Sequence, residues 1–480
     1  VQPHYRLLDA GQIEIIHNEV LELLATTGVR VLHPEAVRLL QAAGCPVRNE
    51  NQVRIPAPLV EASIRSAPSA ITVYNRLGQP AMQLEGRNLH FGLGTDLLRT
   101  VDLETGQARM SLLKDVAQAA AVADACPEID FIASFALPHD TPTNTMYIEC
   151  FKAELENSTK PIFFTAACDK DLAYILAMAA RVAGSTEALR QKPFLINYSE
   201  PTPPLTHSYG AVSKLFMCAD HGVPICYTPA AMMGATAPVT IAGGLVQTTA
   251  EALSGLVIHQ LRAPGAPIIS GLGLPVLDLR TSCVSYAAPE LKLSNSAFID
   301  LFHHYGLPVW STTGSDSHCL DEQAALEHAF SILMASLDGA NLVHDVGYLG
   351  QGLLGSPASI VMCNEIISYV KRIAQGFALT EDALGLDVIR EVGPGGNYLT
   401  HDHTLANFRK SLWVSQMLNR HDPVAWAAQG ELRYRDRVTR KARAILQQHR
   451  PVPLEAAVAA DLTRLVQEAR AALADEVFVA

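Results

Sequence analysis

Aromatic rings and carboxylates fall together at several places along this chain, each just past a short apolar stretch. Phe135 closes one stretch, Tyr198 and Glu200 follow another, and Tyr227, Trp310, Asp316 and Tyr348 lie at the ends of others. Gly92-Leu-Gly-Thr-Asp96 adds a carboxylate, and His318 and His344 add imidazoles at equivalent points. A permanently charged, methylated nitrogen cannot donate a hydrogen bond, so its recognition falls to aromatic faces and a nearby carboxylate. Phe135, Tyr198, Tyr227, Trp310 and Tyr348 are therefore candidate walls of a cation site, with Asp96, Glu200 and Asp316 as counter-charges. Against this stands ordinary packing, which accounts for many aromatic side chains in any large core.

Other chemistries find less support. No G-x-S-x-G elbow is present, so a serine nucleophile is not expected. Gly92-x-Gly94 lacks the third glycine of a dinucleotide-binding turn. His401-x-His403 and His303-His304 lack the i, i+4 spacing that sets two ligands on one helix face, and His318-Cys319 beside Asp316 points in divergent directions. We expect no bound metal. A metal-dependent barrel hydrolase or lyase is the alternative enzyme class.

The positions of these residues follow from a rhythm. Eight short apolar stretches, at 88–93, 129–135, 161–165, 193–198, 223–228, 266–271, 307–311 and 340–344, recur every 30 to 45 residues. Helix-like segments separate them at 112–126, 169–183, 208–220, 239–262, 289–305 and 320–337. Eight such units predict an α/β fold, a (β/α)8 TIM barrel whose active site is built by the loops after the strands. Residues 1–86 read as an N-terminal cap of two helices, each stopped by a glycine (Gly28, Gly44), and short antiparallel strands at 53–56, 71–74 and 81–84. Residues 87–350 are assigned to the barrel. Residues 351–480 read as a C-terminal helical extension, with helices at 359–375, 405–418 and 432–449 around a glycine-rich loop at 393–403.

Composition narrows the partners. The formal net charge is −12 across 480 residues with no basic run, which argues against nucleic acid and against an anionic membrane. The apolar segment 239–261 is interrupted by Gln247, Glu251, His259 and Gln260, so a buried helix is expected there rather than a membrane span. Residues 1–9 lack the apolar core of a signal peptide, and the nine cysteines show no C-x-x-C pairing. The expectation is a cytoplasmic protein with reduced thiols.

At Ala235-Thr-Ala-Pro-Val-Thr-Ile-Ala-Gly-Gly244 and on to Gly255, then Gln260-Leu-Arg-Ala-Pro-Gly-Ala-Pro267, the chain resembles the trimethylamine methyltransferase family. Val53-Arg-Ile-Pro56, Ala67-Pro68, Asp321-x-Gln323 with Glu327, and Gly393-Pro-Gly-Gly396 through His403-Thr404 extend the likeness over nearly the whole chain. The resemblance implies a (β/α)8 barrel that passes a methyl group from a methylamine to the cobalt of a corrinoid (cobalamin) on a separate partner protein. It also implies a homo-oligomer with no tightly bound cofactor of its own. Archetypal members carry pyrrolysine in the region matching residues 313–318. Only standard residues stand there in this chain, which is thus similar to the non-pyrrolysine branch acting on quaternary amines such as glycine betaine.

On this likeness Asp316 and Glu251 are the carboxylates assigned to catalysis, Glu251 sharing a helix face with Gln247 one turn away. A betaine would also need a partner for its own carboxylate, for which His344, His318, His207 and Arg99 are candidates. A catalytically silent betaine-binding homologue is the remaining alternative.

Overall fold

The computed structural model describes residues 1–476. Seven strands form one parallel sheet in the order His90–Phe91, Leu342–His344, Val309–Thr312, Ile268–Gly271, Ile225–Tyr227, Leu195–Ser199, Ile162–Thr165. Nearly every residue in these strands is buried, as expected for a parallel sheet wrapped by helices, and their apolar residues therefore run in sequence without alternation. The eighth stave, residues 129–135, closes the curled sheet by isolated parallel bridges, Phe131 to Gly92 and Ile132 to Ile162. Two local features keep it from laddering as a strand. The Asp130 carboxylate accepts the Phe91 N–H at 2.8 Å, and Phe135 adopts a left-handed φ of 59° that ends the extended run. Gly92 is required at the closure, because a Cβ there would lie 2.3 Å from the Phe131 ring.

A helix follows each stave: Leu113–Ala125, Met146–Asn157, Asp169–Ala183, Tyr209–His221, Ile241–Arg262, Pro289–Tyr305, Glu322–Asp338 and Pro357–Ala374. Met146–Asn157 was not legible in the pattern because its buried face includes Glu149 and Glu154. Glu149 is neutralised by Arg470, far away in sequence, at 2.6 Å. Ile241–Arg262 meets the length and hydropathy of a membrane span, yet 72% of its apolar window is buried inside the fold.

That burial comes from both sides. The N-terminal helices Ala10–Thr26, Pro34–Ala42 and Ala57–Ser66 pack on its outer face. The third of these was not expected; Pro56 stands at its N-cap, so residues 54–56 lead into a helix and only Gln52–Val53 pair as a strand. Strand Val29–Val31 pairs in parallel with Thr206–His207, tying these elements to the loop after Leu195–Ser199. The hairpin Ile71–Tyr74 with Pro80–Leu84 forms as the pattern predicts.

Beyond the barrel, Tyr434–Gln448 packs on Pro357–Ala374, and Ala456–Ala472, absent from the sequence reading, packs on Asp169–Ala183. The expected helix at 405–418 is Asp402–Ser411 instead. It stops short because Glu365 accepts the Gln416 and Met417 amides at 3.0 and 3.2 Å, holding that segment out of helical geometry.

Candidate active site

Where the strands end, their terminal residues enclose a cavity of about 210 Å³ lined by Asp96, Tyr198, Glu200, Trp310, His344 and Tyr348, together with Tyr286, Thr312 and Asp345. Larger hollows exist. One of about 360 Å³ is an apolar groove between helices Glu322–Asp338 and Pro357–Ala374, and one of about 730 Å³ lies by residues 85–88 and 303–307 at the opposite end of the barrel. Neither reaches the C-terminal strand ends, where barrel chemistry resides.

The aromatic walls are set by strand parity and by glycines. Trp310 and Tyr198 lie 6.3 Å apart at an interplanar angle of 25°, and the His344 ring is 5.7 Å from Trp310 and 5.4 Å from Tyr198. Tyr348 continues the wall, 6.2 Å from His344, with Tyr286 6.5 Å beyond it. Gly271 makes room for the indole, since a Cβ there would come within 2.4 Å of Trp310. Gly94 does the same for the far wall, where a Cβ would lie 2.2 Å from Asp345 Oδ1 and 2.3 Å from Tyr348. The Tyr198 hydroxyl donates to Glu200 and the Tyr348 hydroxyl to the Thr95 carbonyl, so ring surface is what these residues leave for a ligand. Burial raises both phenols well above their usual pKa and keeps them neutral.

Charge in the cavity is acidic. Asp96 adopts φ 70° and Asp345 φ 67°, conformations that cost a non-glycine residue energy and gather at functional sites. Asp96 Oδ2 accepts from Thr95 at 2.9 Å, while its buried Oδ1 has no partner within the chain. Asp345 Oδ2 accepts from the Thr312 hydroxyl at 2.5 Å. Its Oδ1 lies 2.8 Å from His344 Nδ1, but the pair is bent out of hydrogen-bond geometry, leaving Oδ1 and both imidazole nitrogens unpaired. Burial raises the Asp96 carboxyl above its ordinary range despite the bond from Thr95 and the nearby Tyr147 hydroxyl. Glu200 is exposed at its strand end, yet the protein packed around its carboxyl raises that group as well, although the Tyr198 bond and Lys214 pull the other way. Unpaired buried polar atoms cost about 1–3 kcal/mol each. Several of them around one small space mark it as built for a polar or charged guest.

Seven of the residues singled out in the sequence lie outside this lining, among them Arg99 on the strand Arg99–Val101. Phe135 stands behind Tyr348 at 6.2 Å, packed against Gly355. Tyr227 is fully buried on the outer face of its strand over Gly255, its hydroxyl 2.7 Å from His207 Nδ1, and His207 Nε2 is 2.8 Å from the Ser254 hydroxyl. Burial lowers the His207 pKa to about 4, so this imidazole is neutral. Asp316 accepts from the Tyr286 N–H at 2.8 Å and the Ser285 hydroxyl at 2.5 Å, anchoring the hairpin Val276–Asp278 with Cys283–Ser285 and thereby Tyr286. His318 is exposed on the loop after Val309–Thr312. Glu251 lies on Ile241–Arg262, accepting from Leu205 N–H at 2.8 Å and Gln247 at 3.0 Å, and burial lifts its pKa to about 7.

Sequence reasoning missed Tyr286, Asp345 and Lys292. Asp345 adjoins a chosen residue, but Tyr286 rides a hairpin with no alternating pattern to reveal it. The Lys292 ammonium is buried without a hydrogen-bond partner near Asp345, Asp316 and Glu327, and burial lowers its pKa to about 8 against their pull. Among the described residues no group of three or more His, Cys, Asp or Glu side chains is placed to share a metal ion, and the pairs His401/His403 and His303/His304 lie away from the cavity.

The sequence model of the trimethylamine methyltransferase (MTTB) family matches residues 1–474. The trimethylamine methyltransferase MttB of Desulfitobacterium hafniense (strain DSM 10664 / DCB-2) is 30% identical over 462 residues, covering 95% of this chain and 92% of that protein. The glycine betaine methyltransferase of Desulfitobacterium hafniense (strain Y51) is 27% identical over 471 residues, 97% of each. Among solved structures, a hydroxylamine complex of MtmB superposes with a TM-score of 0.54 at 11% identity, covering 98% of this chain and 88% of that one. The Methanosarcina barkeri monomethylamine methyltransferase MtmB does so at 0.50, with the same identity and coverage. At that identity the likeness is one of fold.

Proposed function

This chain belongs to the trimethylamine methyltransferase family, and we propose that it removes a methyl group from a quaternary amine and delivers it to a corrinoid carried by a separate partner protein. The observation that carries this reading is the cavity itself, in which Tyr198, Trp310, Tyr348 and Tyr286 share one lining with Asp96, Glu200 and Asp345. Aromatic faces hold a methylated cation without hydrogen bonds, and the carboxyl groups supply an attractive field. The cavity is smaller than the roughly 300 Å³ at which pockets begin to take drug-sized ligands. It fits a methylammonium headgroup and not a corrin ring, which is met from outside the mouth.

When bound there, the corrinoid supplies a Co(I) nucleophile for the methyl group. Everything else falls to this chain. The aromatic walls fix the nitrogen and aim one N–CH3 bond outward, converting an encounter into an oriented reaction. As that bond breaks, its electron pair stays on nitrogen and the positive charge leaves the cavity. A neutral tertiary amine then gains little from the walls or the carboxyls, so the site loosens its hold as the reaction proceeds. A quaternary nitrogen is already a leaving group, which suits a site whose strand-end loop at residues 313–318 carries standard side chains only. Asp316 acts in this scheme by holding Tyr286 in place, and Glu251 by holding the loop at Leu205.

The test is incubation of the protein with Co(I) cobalamin and a panel of quaternary amines, following the demethylated amine by mass spectrometry. Product that scales with protein concentration is expected. Saturable binding without demethylation, even with reduced corrinoid present, would favour a silent binding homologue instead.

A further inference from the structure

We propose that the preferred substrate carries no carboxylate of its own: a quaternary ammonium of the choline class, whose only charge is the nitrogen, rather than a betaine. This rests on the quaternary-amine reading above and narrows it. Three carboxyl groups, Asp96, Glu200 and Asp345, line a cavity of about 210 Å³, and no lysine or arginine lines it. Asp96 Oδ1 and Asp345 Oδ1 are buried without a hydrogen bond, so the cavity presents spare acceptors. A quaternary cation donates no hydrogen bond to them but compensates their charge. A substrate carboxylate adds a fourth like group to the same small volume and meets no lysine or arginine there, the free nitrogens of the lining being only the Trp310 indole and the His344 imidazole.

The groups that could have bound a substrate carboxylate are otherwise placed. Arg99 is exposed on the strand Arg99–Val101 and donates to the Ala108 carbonyl at 3.1 Å. His318 faces solvent, and both His207 nitrogens are taken by Tyr227 and Ser254. Lys214 donates to the Ala166 carbonyl at 2.9 Å, and neither it nor Lys292 belongs to the lining. Of these only His344 lines the cavity, and although both its ring nitrogens are unpaired, the Asp345 carboxylate lies 2.8 Å from Nδ1 and repels a second carboxylate brought to that ring. In the transfer step the N–CH3 bond breaks with its electron pair left on nitrogen, the methyl passes to the Co(I) acceptor, and the product is an uncharged amine that the acidic lining no longer attracts.

The experiment is calorimetric binding to the full chain of four probes: choline, tetramethylammonium, glycine betaine and 3,3-dimethylbutan-1-ol, the uncharged carbon isostere of choline. Choline and tetramethylammonium are expected to bind at least about tenfold more tightly than glycine betaine, a difference of about 1.4 kcal/mol, with the isostere weakest. Glycine betaine binding as tightly as choline overturns the inference and leaves the quaternary-amine reading standing. If none of the three ammonium probes binds better than the isostere, that reading falls and the inference with it. Asp96→Asn and Asp345→Asn keep side-chain shape and tolerate the left-handed backbone at both positions, and each is expected to narrow the choline-to-betaine ratio severalfold. An unchanged ratio in both folded variants overturns the assignment, as does betaine binding that disappears on Lys292→Met.

Discussion

Trp310 gives the sharpest test of the cage. It is 4% exposed, stacked at 25° to Tyr198, and seated on Gly271, so its indole is held rigidly at one wall of the cavity. Replacing it with leucine removes an aromatic face while keeping an apolar side chain. An enclosed cation loses about 1–2 kcal/mol with such a face, which raises Kd for choline about 5- to 30-fold. The same substitution leaves part of the indole volume empty and costs about 1–3 kcal/mol of stability, read separately from the urea midpoint. Shape and charge are separated by titrating choline and its uncharged isostere in parallel. The charge-dependent loss appears only for choline, so the ratio of the two affinities falls with the indole. An unchanged choline affinity, or an equal loss for both ligands, would refute the reasoning, because the indole would then be packing and not a cation wall.

Four further outcomes follow from the same geometry. Tyr227→Phe leaves His207 Nδ1 without its partner at 2.7 Å and should lower stability by about 1–3 kcal/mol with choline affinity within twofold of the parent; a large loss of binding would place Tyr227 in the cage after all. Gly94→Ala drives a methyl to within 2.2 Å of Asp345 and should weaken choline binding at least about tenfold by overpacking the wall, whereas normal binding would mean the far wall can yield. Asp316→Ala releases Ser285 and Tyr286, so trypsin should cut at the exposed Arg280 faster and KM should rise; unchanged cleavage would show the hairpin is held by other contacts.

The fourth concerns pH. Glu251 is held near pKa 7 by burial, above its ordinary value of 4.5, so the folded chain binds this proton more tightly than the unfolded one. Stability from this group is fully present below about pH 4.5 and declines until about pH 7, by about 3 kcal/mol in all. Glu251→Gln should remove that slope from urea midpoints taken between pH 4.5 and 8. Asp338, also lifted to about 7, keeps its own contribution in both proteins, so the comparison is of variant with parent, and parallel curves would contradict the assignment.

The barrel was legible because each stave is buried on both faces and reads as an unbroken apolar run. The same property hid the direction of each side chain. In the register Tyr198 pairs with Cys226 and Ser199 with Tyr227, so Tyr198 points to the interior while Tyr227 points out to the helix at Gly255. With apolar residues on both faces, nothing in the sequence fixes which alternate set faces inward, and strand-end position alone could not tell the two tyrosines apart. Long-range partners hid the rest. Met146–Asn157 owes its buried Glu149 to Arg470, and Tyr286 owes its place to Asp316, contacts that leave no local period to read.

The stave at residues 129–135 gives the barrel a seam. The adjacent stave Ile162–Thr165 is joined to Leu195–Ser199 by a continuous ladder, whereas this segment contributes single bridges on either side. The energy needed to open a region locally follows the backbone bonds it must break. Opening is therefore cheapest here, and amides such as Ile132 should exchange with solvent hydrogen sooner than Asn197 two staves away. The seam ends at Phe135 and runs alongside Asp96, so the wall bearing one of the cavity's carboxyls is also the part of the barrel that breathes most readily.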